Sequence, residues 1–197
     1  MSSSQHPRPP VILSVDSGDP PSKQAIARAA LARFVHQGIE ATSIRDLAEE
    51  TGYTNPALYK FWPSKDALVL DVFERCYRQL VRHLEGAWAE EPPPLRAFVG
   101  RYIDAVDDDL DAVLFVQEQL RSLWPRASAA TRRHSLLALV RRLVPEGARA
   151  PKLVVAAVVG TLGQFARQLH FGDLPRPAAS FREPLEEILA RIVGGAA

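Results

Sequence analysis

A chain of 197 residues, 47% hydrophobic and 24% charged, has the make-up of a globular protein able to bury a sizeable core, as one large domain or two small ones sharing a junction. Its formal net charge of +1 supplies no global positive field, so any nucleic-acid binding must rest on locally placed cations. The lone cysteine, Cys76, excludes an intramolecular disulfide, and the sequence has no metal-ligand spacing, signal peptide or bilayer-length apolar run, so a cytoplasmic protein without metal, cofactor or membrane contact is expected.

Residues 1–21 mix Ser, Pro, Gly and Asp around the short apolar patch Val11-Ile12-Leu13, which predicts a flexible arm. Arg8 within it suits either solvent or a minor groove. Over 23–37, Ile26, Ala30 and Phe34 recur every four positions with Ala27 and Leu31 beside them, one apolar helical stripe that Gly38 stops. Ser43 and Asp46 have capping-box spacing ahead of Ile44, Leu47 and Ala48, and Thr51-Gly52-Tyr53 breaks this short second helix. Thr54 is placed to cap a third helix with Pro56 in its first turn, ending by Trp62-Pro63. Leu47, Ala48, Leu58 and either Phe61 or Trp62 are the expected core of this part.

Ser64 opens a longer helix carried by Leu68, Val72, Cys76 or Tyr77, Leu80 and Leu84 to about Trp88, with a break at 90–94. Further helices are predicted over 95–106, 110–124, 129–144, 152–171 and 181–193, separated by Pro125, Pro145-Glu146-Gly147 and the loop 172–180. No segment alternates as a strand does. The expected fold class is all-α: a flexible arm (1–21), a three-helix helix-turn-helix domain (22–66) and a helical bundle (67–197).

Two short helices joined by a tight glycine turn behind a supporting helix have the outline of a helix-turn-helix, whose last helix enters the major groove. Thr42, Ser43 and Arg45 begin the second helix, Thr54, Asn55, Tyr59 and Lys60 decorate the third, and Lys65 starts the next, a cluster of phosphate donors. Ala29-Ala30, Phe34 and Gly38, then Thr42-Ser43-Ile44-Arg45-Asp46-Leu47-Ala48, Gly52-Tyr53-Thr54-Asn55-Pro56-Ala57-Leu58-Tyr59 and Ser64-Lys65-Asp66-Ala67-Leu68 resemble, in order and spacing, the DNA-binding module of the TetR family of transcriptional regulators. One departure is Lys60-Phe61-Trp62, where the family more often has a histidine before the aromatic.

The resemblance implies that Tyr59 and Lys65 pin backbone phosphates, that Thr42, Ser43 and Thr54 add hydroxyl contacts, and that Arg45 reaches a guanine edge. Asn55 would read adenine, Ala57 would meet a thymine methyl, and Lys60 would go to base or phosphate. It further implies an effector pocket in the bundle, with Phe73, Tyr77, Trp88, Tyr102, Phe115, Gln119, Leu123, Trp124 and Phe165 as candidate lining for an apolar or amphipathic small molecule. The last two helices would form a homodimer interface through Val155, Ala156, Val159, Gly160, Gly163, Leu185, Ile188, Leu189 and Ile192. The implied function is a ligand-released repressor that binds a palindromic operator in double-stranded DNA as a dimer. The alternative is a DNA-binding architectural or cell-cycle factor controlled by a protein partner.

The acidic run Asp107, Asp108, Asp109 and Asp111 lacks the alternation and distal bidentate acid of a hard-cation loop and reads as a solvated turn with a capping Asp. Arg132-Arg133 and Arg141-Arg142 read as an exposed face, and Cys76 as a buried structural thiol. No nucleophile elbow, phosphate-cradling loop or metal constellation is legible, which argues against an enzyme.

Overall fold

The structure is a computed structural model that describes residues 10–16, 18–89 and 94–195. Among the described residues it forms α-helices and short 3₁₀ turns and no strand. The helices are α1 (Pro21–His36), α2 (Ile44–Thr51), α3 (Asn55–Phe61), α4 (Lys65–Glu85), α5 (Pro94–Asp108), α6 (Leu110–Leu123), α7 (Ala129–Arg132), α8 (Leu136–Arg141), α9 (Pro151–Phe171) and α10 (Arg182–Gly194). Arg8 and most of the predicted break at 90–94 lie outside the described residues.

The apolar stripes become one continuous core. Ile26, Ala27, Ala30, Leu31 and Phe34 of α1 are buried against Leu47 and Leu58, and Trp62 rather than Phe61 completes this cluster. Phe61 is half-buried and meets Trp62 edge-on, with ring centroids 5.6 Å apart. Helix α4 runs from this module into the bundle without a linker, burying Leu68, Val72, Cys76, Leu80 and Leu84 on one side. It ends at Glu85, and Gly86–Ala89 continues as a 3₁₀ turn toward Trp88. Complete burial pushes the Cys76 thiol up, as suits an inert core thiol.

Three expectations are corrected. The helix predicted over 129–144 is two, because local side chains offer the backbone a competing arrangement. Ser135 Oγ accepts the Ala138 amide at 3.2 Å, and the Tyr77 hydroxyl accepts the Leu136 amide at 2.9 Å, so α8 starts afresh. The second correction concerns the arm, of which the stretch 10–16 is held against the bundle. Val11 N donates to Asp108 Oδ2 and Leu13 N to Asp109 Oδ2, each at 2.8 Å, and Leu13 and Ser14 are buried. The apolar patch gains burial under Leu13, and the acidic run supplies acceptors for backbone groups that would otherwise need water.

That acidic run is therefore not simply solvated. Asp107 accepts the amides of Ala178 (2.6 Å) and Ala179 (2.9 Å), fastening the loop before α10, while Asp109 also caps α6 at Ala112. Arg132, Arg133, Arg141 and Arg142 are exposed, with Arg142 stacked over Trp88 at 4.1 Å.

Candidate nucleic-acid interface

Helix α2 starts at a complete capping box: Ser43 Oγ accepts the Asp46 amide and Asp46 Oδ2 accepts the Ser43 amide, both at 3.1 Å. The bond to Ser43 holds the Asp46 carboxyl below its ordinary value. Gly52, at φ 73°, makes the left-handed turn that frees the chain to enter α3 at a new angle. Thr54 precedes α3 in extended backbone, but its side chain makes no capping bond, contrary to the predicted cap; its carbonyl accepts from Ala57 and Leu58 instead.

With Leu58 turned into the core, α3 leaves its other faces to solvent. Ser43, Arg45, Thr54, Asn55, Tyr59 and Lys60 are exposed and Ala57 is half-buried. Tyr59 is 51% exposed, and Tyr53 on the turn is 37% exposed, an aromatic beside the same surface that the sequence reading left out. Arg45 forms an ion pair with Glu49 at 2.9 Å between two well-exposed side chains, a contact that solvent weakens and a phosphate or base can replace.

Two predicted donors are placed differently. Thr42 is 1% exposed and its hydroxyl donates to the Gly38 carbonyl at 2.9 Å, so it locks the α1–α2 turn instead of facing outward. Lys65 reaches back across the module to the Ile39 carbonyl at 3.0 Å, spending one of its three donors there.

The module is tied to the bundle by both packing and charge. Phe34 of α1 stacks on Phe115 of α6 with centroids 5.8 Å apart, and His36 lies 3.1 Å from Asp111. The 5%-exposed Arg75 of α4 binds Asp19, just ahead of α1, and Asp71, which also accepts the Trp62 indole N–H at 2.7 Å. Burial acts most strongly on Asp19 and raises its pKa, but Arg75 and Lys23 together outweigh it and the net shift is downward. The sequence offers Asp71, four residues back on the same helix, as a partner for Arg75, but not Asp19, 56 residues away, so it does not mark Arg75 as buried.

The candidate pocket residues mostly hold helices together. Phe73, Tyr77, Tyr102, Phe115, Leu123 and Phe165 are buried, while Trp88, Gln119 and Trp124 are half-buried. Tyr77 sits between Phe73 (5.9 Å) and Trp124 (4.9 Å). Tyr102 donates to the Leu162 carbonyl at 2.7 Å and accepts from Gln117 at 3.1 Å, joining α5, α6 and α9; burial raises its phenol far above the ordinary value. None of these nine lines the 720 Å³ groove at the edge of the bundle, which is formed by residues 10–13, α4, α5 and the start of α10.

Of the candidate dimer residues, Val155, Gly163, Leu185 and Leu189 face the protomer's own core, and Val159 and Ile192 are half-buried. Ala156, Gly160 and Ile188 are exposed, alongside Leu153 (69%) and Phe171 (70%). Among the described residues no helix is long and apolar enough to cross a membrane, and no three metal-capable side chains gather.

An N-terminal helix-turn-helix with an exposed polar recognition helix, continuous with a larger helical bundle, defines the class of helical transcriptional regulators. Residues 26–72 match the family model described as bacterial regulatory proteins, tetR family. The HTH-type transcriptional repressor KstR2 of Rhodococcus jostii is 24% identical over 110 residues, so the chain spans about half the length of this relative, 54% of each. The TetR family transcriptional regulator PfmR of Thermus thermophilus aligns over 87% of this chain and 98% of its own, with 26% identity and a TM-score of 0.67. The FadR regulator of Bacillus subtilis, solved with stearoyl-CoA, shares the fold over 88% of this chain and 98% of its own, with 15% identity and a TM-score of 0.67. The tetR family match covers the helix-turn-helix module and the start of α4, and the likeness to these regulators over the rest of the chain is one of fold.

Proposed function

We propose that this protein is a homodimeric repressor that binds a palindromic operator through α2 and α3 and is released by a small amphipathic effector. The exposed row Ser43, Arg45, Asn55, Tyr59 and Lys60 carries the reading, because it combines phosphate donors with side chains able to read base edges on one helix-turn-helix surface. Dimerisation is supported by the large apolar side chains Leu153, Phe171 and Ile188, left exposed on α9 and α10 where the small residues Ala156 and Gly160 permit close approach. Two recognition helices one DNA turn apart would then read an inverted repeat.

Release follows from the absence of a linker. A ligand that shifts α4 or α6 moves the module through Phe34–Phe115 and the Asp19–Arg75–Asp71–Trp62 chain, changing the spacing of the two recognition helices. The ligand-bound FadR structure supports an amphipathic effector by analogy of fold. Selection of binding sites from random duplex DNA tests the reading: an inverted repeat, bound with steep salt dependence, is expected. Recovery of no sequence above non-specific binding by folded protein would reject it and favour control by a protein partner.

A further inference from the structure

The 720 Å³ groove has an unusual wall. One side is the backbone and side chains of residues 10–13, a segment ahead of the DNA-binding module, strapped to the turn between α5 and α6 by the two carboxylates of Asp108 and Asp109. Ile12 lines it with 42% of its surface exposed, and Val11, Leu13 and Ala97 extend the apolar lining. The rest is basic: Arg82, His83, Arg96, Arg101 and Arg182 line it against the single acid Asp104.

The arrangement of these cations is built into the backbone. Arg182 lies across α5 at Gly100, where any Cβ would collide with its guanidinium, and donates to Asp104 at 2.7 Å. Arg101 lies across Gly86 in the same manner and donates to the His83 carbonyl at 2.9 Å. Arg82 is exposed and, among the described residues, donates to the neutral amide of Gln79 at 3.3 Å, while Arg96 stands 3.7 Å from Glu186 with most of its side chain in solvent. Two pinned and two weakly engaged guanidiniums beside an apolar wall make an environment for a molecule with an anionic head and an apolar tail.

We propose that this groove binds an anionic amphipath, its carboxylate or phosphate head on Arg82 and Arg96 and its tail on Ile12 and Val11. This names the ligand class and place for the effector of the function proposed above, and it rests on that reading for its regulatory meaning. The bound tail covers the strap, and the strap leads through Asp19, held by Arg75, directly into α1. Occupancy is thereby felt at the start of the DNA-binding module without passing through the aromatic core.

The test is calorimetric titration of the full chain, without DNA, with dodecyl phosphate and dodecanoate below their micelle concentrations, against inorganic phosphate and 1-dodecanol. Dodecyl phosphate or dodecanoate should bind at least about tenfold more tightly than head or tail alone, and Arg82→Glu should weaken binding by about tenfold, the size of one lost charge-assisted contact. Arg132→Glu, the same charge change on α7 away from the groove, should leave it unaltered, and both variants are first checked for unchanged thermal unfolding. Bound ligand should slow hydrogen exchange at the Val11 and Leu13 amides. Equal weakening by both variants, indifference to Arg82→Glu, or unaltered exchange in the strap would overturn the groove. Binding that meets all these conditions but leaves affinity for the selected operator unchanged would keep the groove and reject the ligand-released repressor.

Discussion

The helix-turn-helix module and the bundle it feeds treat polar side chains in opposite ways. In and just ahead of α2 and α3 most polar residues stand in solvent, while Thr42, Ser43, Asp46 and Thr51 are spent on shaping the turn, the cap and the end of α2. In the bundle, Tyr77, Tyr102, Asp107 and Asp109 are drawn inward or onto neighbouring backbone, each joining separate segments. A surface meant to be covered by an external partner can keep its donors free, because water satisfies them until the partner arrives. A bundle of short helices with many ends has backbone groups to satisfy and spends its polar side chains there.

This contrast can be broken in four places. The largest effect is expected at the joint: Phe115→Ala removes the ring that stacks on Phe34 and should cost about 3–5 kcal/mol in urea unfolding. A loss below about 1 kcal/mol would mean that the two regions are packed independently. In the module, Asn55→Ala should leave folding intact and relax preference at one base position by about 1–3 kcal/mol, measured as operator affinity against single-base variants. Uniform weakening on every sequence would make Asn55 a phosphate contact instead.

Ser43→Ala should reduce stability by about 1 kcal/mol through loss of the capping box, with Ser43→Asp restoring most of it. The smallest effect is expected at Asp109. Burial raises its carboxyl, against the Leu13, Ala112 and Ser14 amides that lower it. The folded form therefore holds its proton more tightly than the unfolded chain, so this group favours folding at low pH and loses that contribution as pH rises through its raised folded value. Asp109→Asn keeps an acceptor for the strap and removes the titration. The pH–stability curve should flatten there, with a change below about 1 kcal/mol at neutral pH; an unaltered slope would place the proton elsewhere.

Local sequence was sufficient for the helix periods of the module, the Ser43–Asp46 box, the Gly52 turn and the exposed row of α3, because each depends on residues within one or two helical turns of one another. It also set the three helices of the module and carried the resemblance to the TetR DNA-binding module, which the family match over residues 26–72 supports. Placement across the chain was decided only in three dimensions. Thr42 looks like a surface donor until Gly38 is seen to take its hydroxyl, and the aromatics of the bundle look like a pocket until Tyr77 and Tyr102 are found bonded to backbone. The segment 10–16 reads as free chain because the carboxylates that hold it are almost a hundred residues away, and the basic groove exists only where α4, α5, the start of α10 and that segment meet. Short-range patterns encode what a helix presents; which group it meets is set by packing between elements, and composition carries no record of that.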